Sequence, residues 1–117
     1  MADFIKVGTI NEMAPGSMKE VTMGNTHVLI ARIGDKAYAT QGRCPHMGGI
    51  LANGPLEGTV VTCPRHKSQF SVTDGKVIRW LKGIGLIAAV GKTLKSPRGL
   101  KTYPVKVENG SIMVKIE

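Results

Sequence analysis

Two short runs in this 117-residue chain carry side chains able to bind a metal through sulfur and nitrogen. Cys44-Pro45-His46 is the first and Cys63-Pro64-Arg65-His66 the second, with sixteen residues between them. Each run supplies one thiolate and one imidazole. Two sulfurs and two nitrogens on two short loops can hold either one metal ion or a two-iron cluster. A structural zinc site is the plainer reading, but zinc ribbons and fingers present Cys-x-x-Cys or His-x-x-x-His knuckles, and neither occurs here. Cys44 and Cys63 are the only cysteines, so a disulfide between them is a further reading. The matched histidines and a reducing compartment argue against it.

The segments that must position these loops read as strands. Phe4 to Thr9 alternates, and Val28 to Ile33 is apolar apart from one Arg. Gly34-Asp35-Lys36 turns that run into Ala37 to Thr40, and Val60 to Thr62 leads directly into the second loop. Ser71 to Thr73 and Val77 to Trp80 flank Asp74-Gly75, and Tyr103 to Val107 and Ile112 to Ile116 flank Asn109-Gly110. Both pairs predict hairpins, because Gly accepts the positive φ of the tight turns that suit twisted strands. No segment keeps a 3.6-residue period. Short strands at regular spacing predict an all-β antiparallel sandwich or small barrel, with residues 1–117 forming one domain.

Composition supports that class and narrows function. Hydrophobic content is 42% but aromatics only 4%, so the core must come from Ile, Val, Leu and Met. Fifteen Gly and six Pro suit short strands and tight turns. No run of 18 apolar residues occurs, which argues against a membrane span, and Met1-Ala2-Asp3-Phe4 does not resemble a secretory signal, so a cytoplasmic protein is expected. The net charge of +8 is spread without a basic block, and few aromatics are available to stack on bases. The charge therefore points to solubility and to an acidic protein partner rather than nucleic acid. No Ser-His-Asp logic, phosphate loop or paired carboxylates are evident. His27 reads as a strand residue rather than a ligand, and Tyr38 and Trp80 as core or sheet-face residues. Leu81 to Arg98 breaks the strand pattern with the apolar run Gly83 to Gly91. It reads as a connection packed on the core, or as an apolar patch for a partner.

With Met47-Gly48-Gly49 after the first pair and Lys67-Ser68-Gln69-Phe70 after the second, the loops resemble the Rieske iron–sulfur family. The resemblance extends through Leu51, Gly54, Leu56, Gly58 and Val61, then Asp74-Gly75, Tyr103-Pro104-Val105 and Asn109-Gly110, roughly residues 40–116. It implies a Rieske fold with a cluster-binding subdomain at approximately 40–70, and one [2Fe-2S] cluster per chain. Cys44 and Cys63 would hold the inner iron, and His46 and His66 the outer one. Replacing two thiolates by neutral imidazoles removes roughly two negative charges and raises the potential above that of all-cysteine ferredoxins. Pro45 and Pro64 would stiffen the loops, Gly48 and Gly49 would let backbone amides approach the sulfides, and Met47 would pack over the cluster.

Three departures refine the resemblance. Respiratory Rieske proteins carry an extra disulfide-forming cysteine in each loop, and those places fall at Gly49 and Arg65. Their Ser and Tyr donors to the cluster sulfurs correspond to Ser68 and Phe70, so one donor is kept and one lost. A potential in the lower Rieske range is expected, lifted by Ser68. Lys67 stands where the family pattern has Gly, and must accept that backbone angle. With Arg43 and Arg65 it predicts a basic collar that steers an acidic partner. The resemblance implies a soluble ferredoxin, not an enzyme in itself, carrying single electrons from a reductase to a terminal oxygenase or other redox enzyme. The alternatives are the small subunit of a cytoplasmic nitrite reductase-like complex and a non-redox zinc-stabilised binding module.

Overall fold

The computed structural model describes residues 4–44, 49–64, 67–79 and 99–116. They form antiparallel strands in three sheets, joined by turns and two single-turn 3-10 segments, Ile10–Glu12 and Leu51–Asn53. The first sheet has the order β1-β11-β10, from β1 (Phe4–Thr9), β11 (Ser111–Lys115) and β10 (Val105–Glu108). The second is β2-β3-β4-β9, from β2 (Met18–Met23), β3 (Thr26–Ile33), β4 (Lys36–Gln41) and β9 (Thr102–Tyr103). The third is β5-β6-β7-β8, from β5 (Leu56–Glu57), β6 (Val60–Thr62), β7 (Gln69–Ser71) and β8 (Val77–Arg79). The all-β antiparallel class is as expected. No helix among the described residues is long and apolar enough to cross a membrane.

β3 explains how the layers join. Its run Val28-Leu29-Ile30-Ala31 is buried throughout, as a strand covered on both faces must be. Side chains alternate along it. Leu29 and Ala31 enter one apolar cluster with Leu51, Val61, Phe70 and Val72, and that cluster also holds both cysteines. Val28 and Ile30 enter the other, with Ile112, Val114 and Met13. Full burial of each such side chain contributes about 1.5–3 kcal/mol. One strand thus binds the ligand-bearing layer to the first sheet.

Pro104 marks a change of sheet. Tyr103 pairs with Ala39 of β4, whereas Val105 pairs with Val114 of β11. Pro104 has no N–H to continue the first ladder, but its carbonyl accepts from the Lys115 amide at 3.0 Å. The Asn109-Gly110 hairpin is as read from sequence, with φ of 52° and 80° at the two turn residues.

The other hairpin differs. Its first strand is Gln69–Ser71, not Ser71–Thr73, and the connection runs from Val72 to Lys76. Val72 is 1% exposed on the same face as Phe70, and its N–H donates to the Thr59 carbonyl at 2.8 Å. The loop is then closed by Ser71 N–H to Lys76 O at 2.9 Å and Gly75 N–H to Ser71 O at 2.8 Å. The Asp74 carboxylate also accepts from the Lys76 amide at 3.0 Å. Trp80 and the Leu81 to Arg98 stretch lie outside the described residues.

Candidate metal centre

Each cysteine stands at the mouth of its own loop. β4 carries the chain to Gln41, and Gly42 then donates its amide to the His27 carbonyl at 2.8 Å. Arg43 bridges to Ile50, and the Cys44 amide donates to the Gly49 carbonyl at 2.8 Å. In the second loop β6 ends at Thr62, which pairs with Gln69. The Cys63 amide donates to the Ser68 carbonyl at 2.8 Å, and the Lys67 amide returns to the Cys63 carbonyl at 3.0 Å. Both mouths are therefore shut by one kind of bond, from the cysteine N–H to the carbonyl five residues on.

The two loops converge. Cys44 is 3% and Cys63 1% exposed, and both belong to one apolar cluster with Leu51 and Phe70. No disulfide joins them. Two buried cysteines on closed loops in one apolar cluster suit thiolate ligation of a cofactor shielded from water. Ser68 and Phe70 are fully buried beside them, Gly49 is buried, and Pro64 is half-buried. Pro45, His46, Met47, Gly48, Arg65 and His66 lie outside the described residues. Lys67 has φ of 65°, the left-handed angle that favours glycine.

Packing fixes the second mouth from behind. A carbon added to Gly54 would fall 1.9 Å from the Thr62 carbonyl oxygen, so the end of the Leu51–Asn53 turn lies directly on the strand that leads into Cys63. Only a residue without a Cβ permits that approach.

The basic collar expected from Arg43, Arg65 and Lys67 needs correction at Arg43. Its Nε and Nη2 donate to the two carboxylate oxygens of Glu20 at 3.0 and 3.1 Å. That hydrogen-bonded pairing lowers the Glu20 pKa and raises that of Arg43. Its charge is thus largely cancelled within the chain. His27 is a β3 residue, as expected. Its Nδ1 lies 3.2 Å from the Thr22 hydroxyl and 3.8 Å from Glu20 Oε2. Glu20 and Gln41 were not singled out from sequence. Glu20 meets Arg43 23 positions away, and Gln41 joins the Arg43 carbonyl two positions on to Lys101 60 positions away, so no sequence pattern marks either.

A cleft of about 750 Å³ lies between β4 and β10, where the chain changes sheets, with Lys36, Tyr38, Tyr103 and Lys106 on its walls. None of its lining residues belongs to either ligand loop.

The chain is 30% identical over 112 residues to the ferredoxin component of biphenyl 2,3-dioxygenase from Rhodococcus jostii (strain RHA1), covering 96% of this chain and 92% of that protein. It is 27% identical over 115 residues to the ferredoxin component of the naphthalene 1,2-dioxygenase/salicylate 5-hydroxylase systems of Ralstonia sp, covering 98% and 97%. A chain in the solved complex of reduced oxygenase and oxidized ferredoxin in carbazole 1,9a-dioxygenase superposes with a TM-score of 0.77 at 29% identity, over 96% of this chain and 92% of that one. The relatives are components of multi-component systems, carriers of electrons rather than catalysts. Residues 3–86 match the Rieske [2Fe-2S] domain, and the chain, which takes one such cluster, belongs to that family.

Proposed function

We propose that the chain is a Rieske-type ferredoxin that receives single electrons from a reductase and passes them to a terminal oxygenase. The observation that carries this is the convergence of Cys44 and Cys63, on two loops shut by the same bond, in one water-excluding apolar cluster. Cys44 and Cys63 would hold one iron, and His46 and His66 the other. When bound, the cluster supplies a one-electron centre, with a potential above that of all-cysteine ferredoxins because two ligands are neutral. The chain's own residues keep that centre dry: Leu51, Val61 and Phe70 are fully buried around the thiols. The buried Ser68 would supply a hydroxyl near the sulfurs. Residues 40–70 would act as the cluster-binding unit, together with Pro45, Met47, Gly48, Gly49, Pro64, Arg65, Lys67 and Phe70 along the loops.

The relatives are ferredoxin components of dioxygenase systems, which supports an oxygenase as the electron acceptor. The net charge of +8 suits partners with acidic docking surfaces. With both cysteines assigned to the cluster and none left for a disulfide, the composition suits a reducing compartment, the cytoplasm.

The test is low-temperature electron paramagnetic resonance of dithionite-reduced protein, with iron and sulfide measured on the same sample. A rhombic signal with average g below that of an all-cysteine cluster, and about two irons per chain, is expected. A protein that after reconstitution holds only zinc would overturn the reading. Reduction by a flavin reductase and reoxidation by an oxygenase, each in single turnover, test the direction of transfer.

A further inference from the structure

β4 ends at Gln41, and every polar group of that residue's side chain is engaged. Its amide nitrogen Nε2 donates to the Arg43 carbonyl at 2.8 Å. Its amide oxygen Oε1 accepts from the Lys101 backbone N–H at 2.7 Å. Its own backbone N–H donates to the Lys101 carbonyl at 2.8 Å. Gln41 thus grips Lys101 at two points and Arg43 at one.

The Arg43 carbonyl and the Cys44 N–H belong to the same peptide group, which is planar and rigid. The N–H end of that plane makes the bond to Gly49 that shuts the first loop, at 2.8 Å. The C=O end is held by Gln41. One plane is therefore pinned at both ends, and its orientation aims the Cα–Cβ bond of the first cysteine. A donor on the carbonyl also polarises the plane and strengthens its N–H as a donor to Gly49. The support is needed at this point. The β4–β9 ladder stops at the pair Thr40 and Thr102, and past the Gly42 bond to the His27 carbonyl the chain leaves the sheet.

We propose that Gln41 is a positioning residue for Cys44: through the Arg43–Cys44 peptide plane it sets the geometry of the first thiolate ligand, and through Lys101 it ties that geometry to the segment that leads into β9. The inference rests on the cluster reading above. It goes beyond it by assigning a role to a side chain that touches neither cysteine.

Two variants separate the two bonds. Gln41→Glu keeps the length and the acceptor for Lys101 but removes the donor to Arg43. Gln41→Met keeps the length and removes both. Val114→Ala, fully buried in the other apolar cluster, is the control for a general loss of stability. Each full-length protein is purified with its cluster, and three quantities are read: the g-values and linewidths of the reduced signal, iron release to a chelator, and the unfolding midpoint. The expected result is that both Gln41 variants broaden or shift the signal and release iron about tenfold faster, the scale for losing an outer partner of a metal ligand. Val114→Ala should lower the midpoint with the signal and the release rate unchanged. If Gln41→Met matches Val114→Ala, with lowered stability alone, the role is structural and the proposal fails. If Gln41→Glu behaves as the parent chain, the Arg43 bond does not position Cys44 and the proposal also fails. A parent chain without the mixed-ligand signal would instead overturn the cluster reading itself, so the two failures are distinguishable.

Discussion

Glu20 and Arg43, 23 residues apart, meet in a two-point ion pair that lies one residue before the first cysteine, with contacts of 3.0 and 3.1 Å. The pair withdraws one positive charge from the surface around the ligand loops. Glu20→Gln restores it. With an acidic partner, the electron-transfer association rate should rise roughly two- to threefold at low salt and fall more steeply as salt is added. Stopped-flow rates against ionic strength give the answer. A slope identical to that of the parent chain would show that Arg43 does not face the docking partner.

The same pair makes stability depend on acid. Pairing with Arg43 holds the Glu20 carboxyl below its ordinary value, with His27 adding to the effect. A carboxylate depressed in the folded state contributes fully above its unfolded pKa, about 4.3. That contribution disappears as pH falls through the lower folded value. The gap in unfolding midpoint between the parent chain and Glu20→Gln should be constant from neutral pH to about 5, and close as pH drops below about 4. A gap that persists in strong acid would mean that Glu20 acts by packing.

Lys67→Gly should stabilise the protein. The left-handed angle, φ of 65°, costs a side chain about 1–2 kcal/mol. Glycine removes that cost but gives back about 0.5–1 kcal/mol in chain entropy. The expected gain is about 0.5–1 kcal/mol in denaturant unfolding.

Gly54→Ala should do the reverse, and strongly. The new methyl meets a backbone oxygen rather than a flexible side chain, so a strand must move. Overpacking of this kind costs about 3 kcal/mol. The displaced Thr62 adjoins Cys63, so the paramagnetic signal should change with the stability. A drop in stability with an unchanged signal would show that β6 absorbs the shift before it reaches the loop.

Ser68→Ala tests the hydroxyl. Losing a donor to sulfur destabilises the reduced, more negative cluster, so the potential should fall. Because Ser68 is fully buried, solvent cannot replace the lost group. Redox titration reads the shift, and an unchanged potential removes Ser68 from the cluster's environment.

Sequence made visible what local chemistry decides. Asn109-Gly110 announced its turn because both positions need positive φ, which those residue types tolerate. The two cysteine loops announced themselves through ligand types at fixed spacing. β2 went unread because Met18 to Met23 mixes apolar and charged residues on both faces, and no residue of that strand is fully buried. β5 spans only two residues and carries no pattern of its own. The hairpin around Asp74-Gly75 is displaced because its connection closes from Ser71 to Lys76 and Gly75 also accepts from the Leu100 amide, 25 positions on, a tertiary contact that the turn residues do not encode. Glu20 and Gln41 acquire their meaning only once β2, β4 and the Lys101 segment before β9 are brought together.

The bonds that shut the two loop mouths involve no metal. They run between backbone groups whose flanking strands are already paired and packed on a shared core. The expected order of assembly is therefore that the chain folds first and receives its iron afterwards, and a cluster-free sample should keep the circular-dichroism spectrum of the loaded protein. In zinc fingers, by contrast, metal uptake and folding are one event. Oxidative loss of the centre should then leave a colourless chain that regains its signal on reconstitution with iron and sulfide, whereas an unfolded product would show that the centre holds the loops.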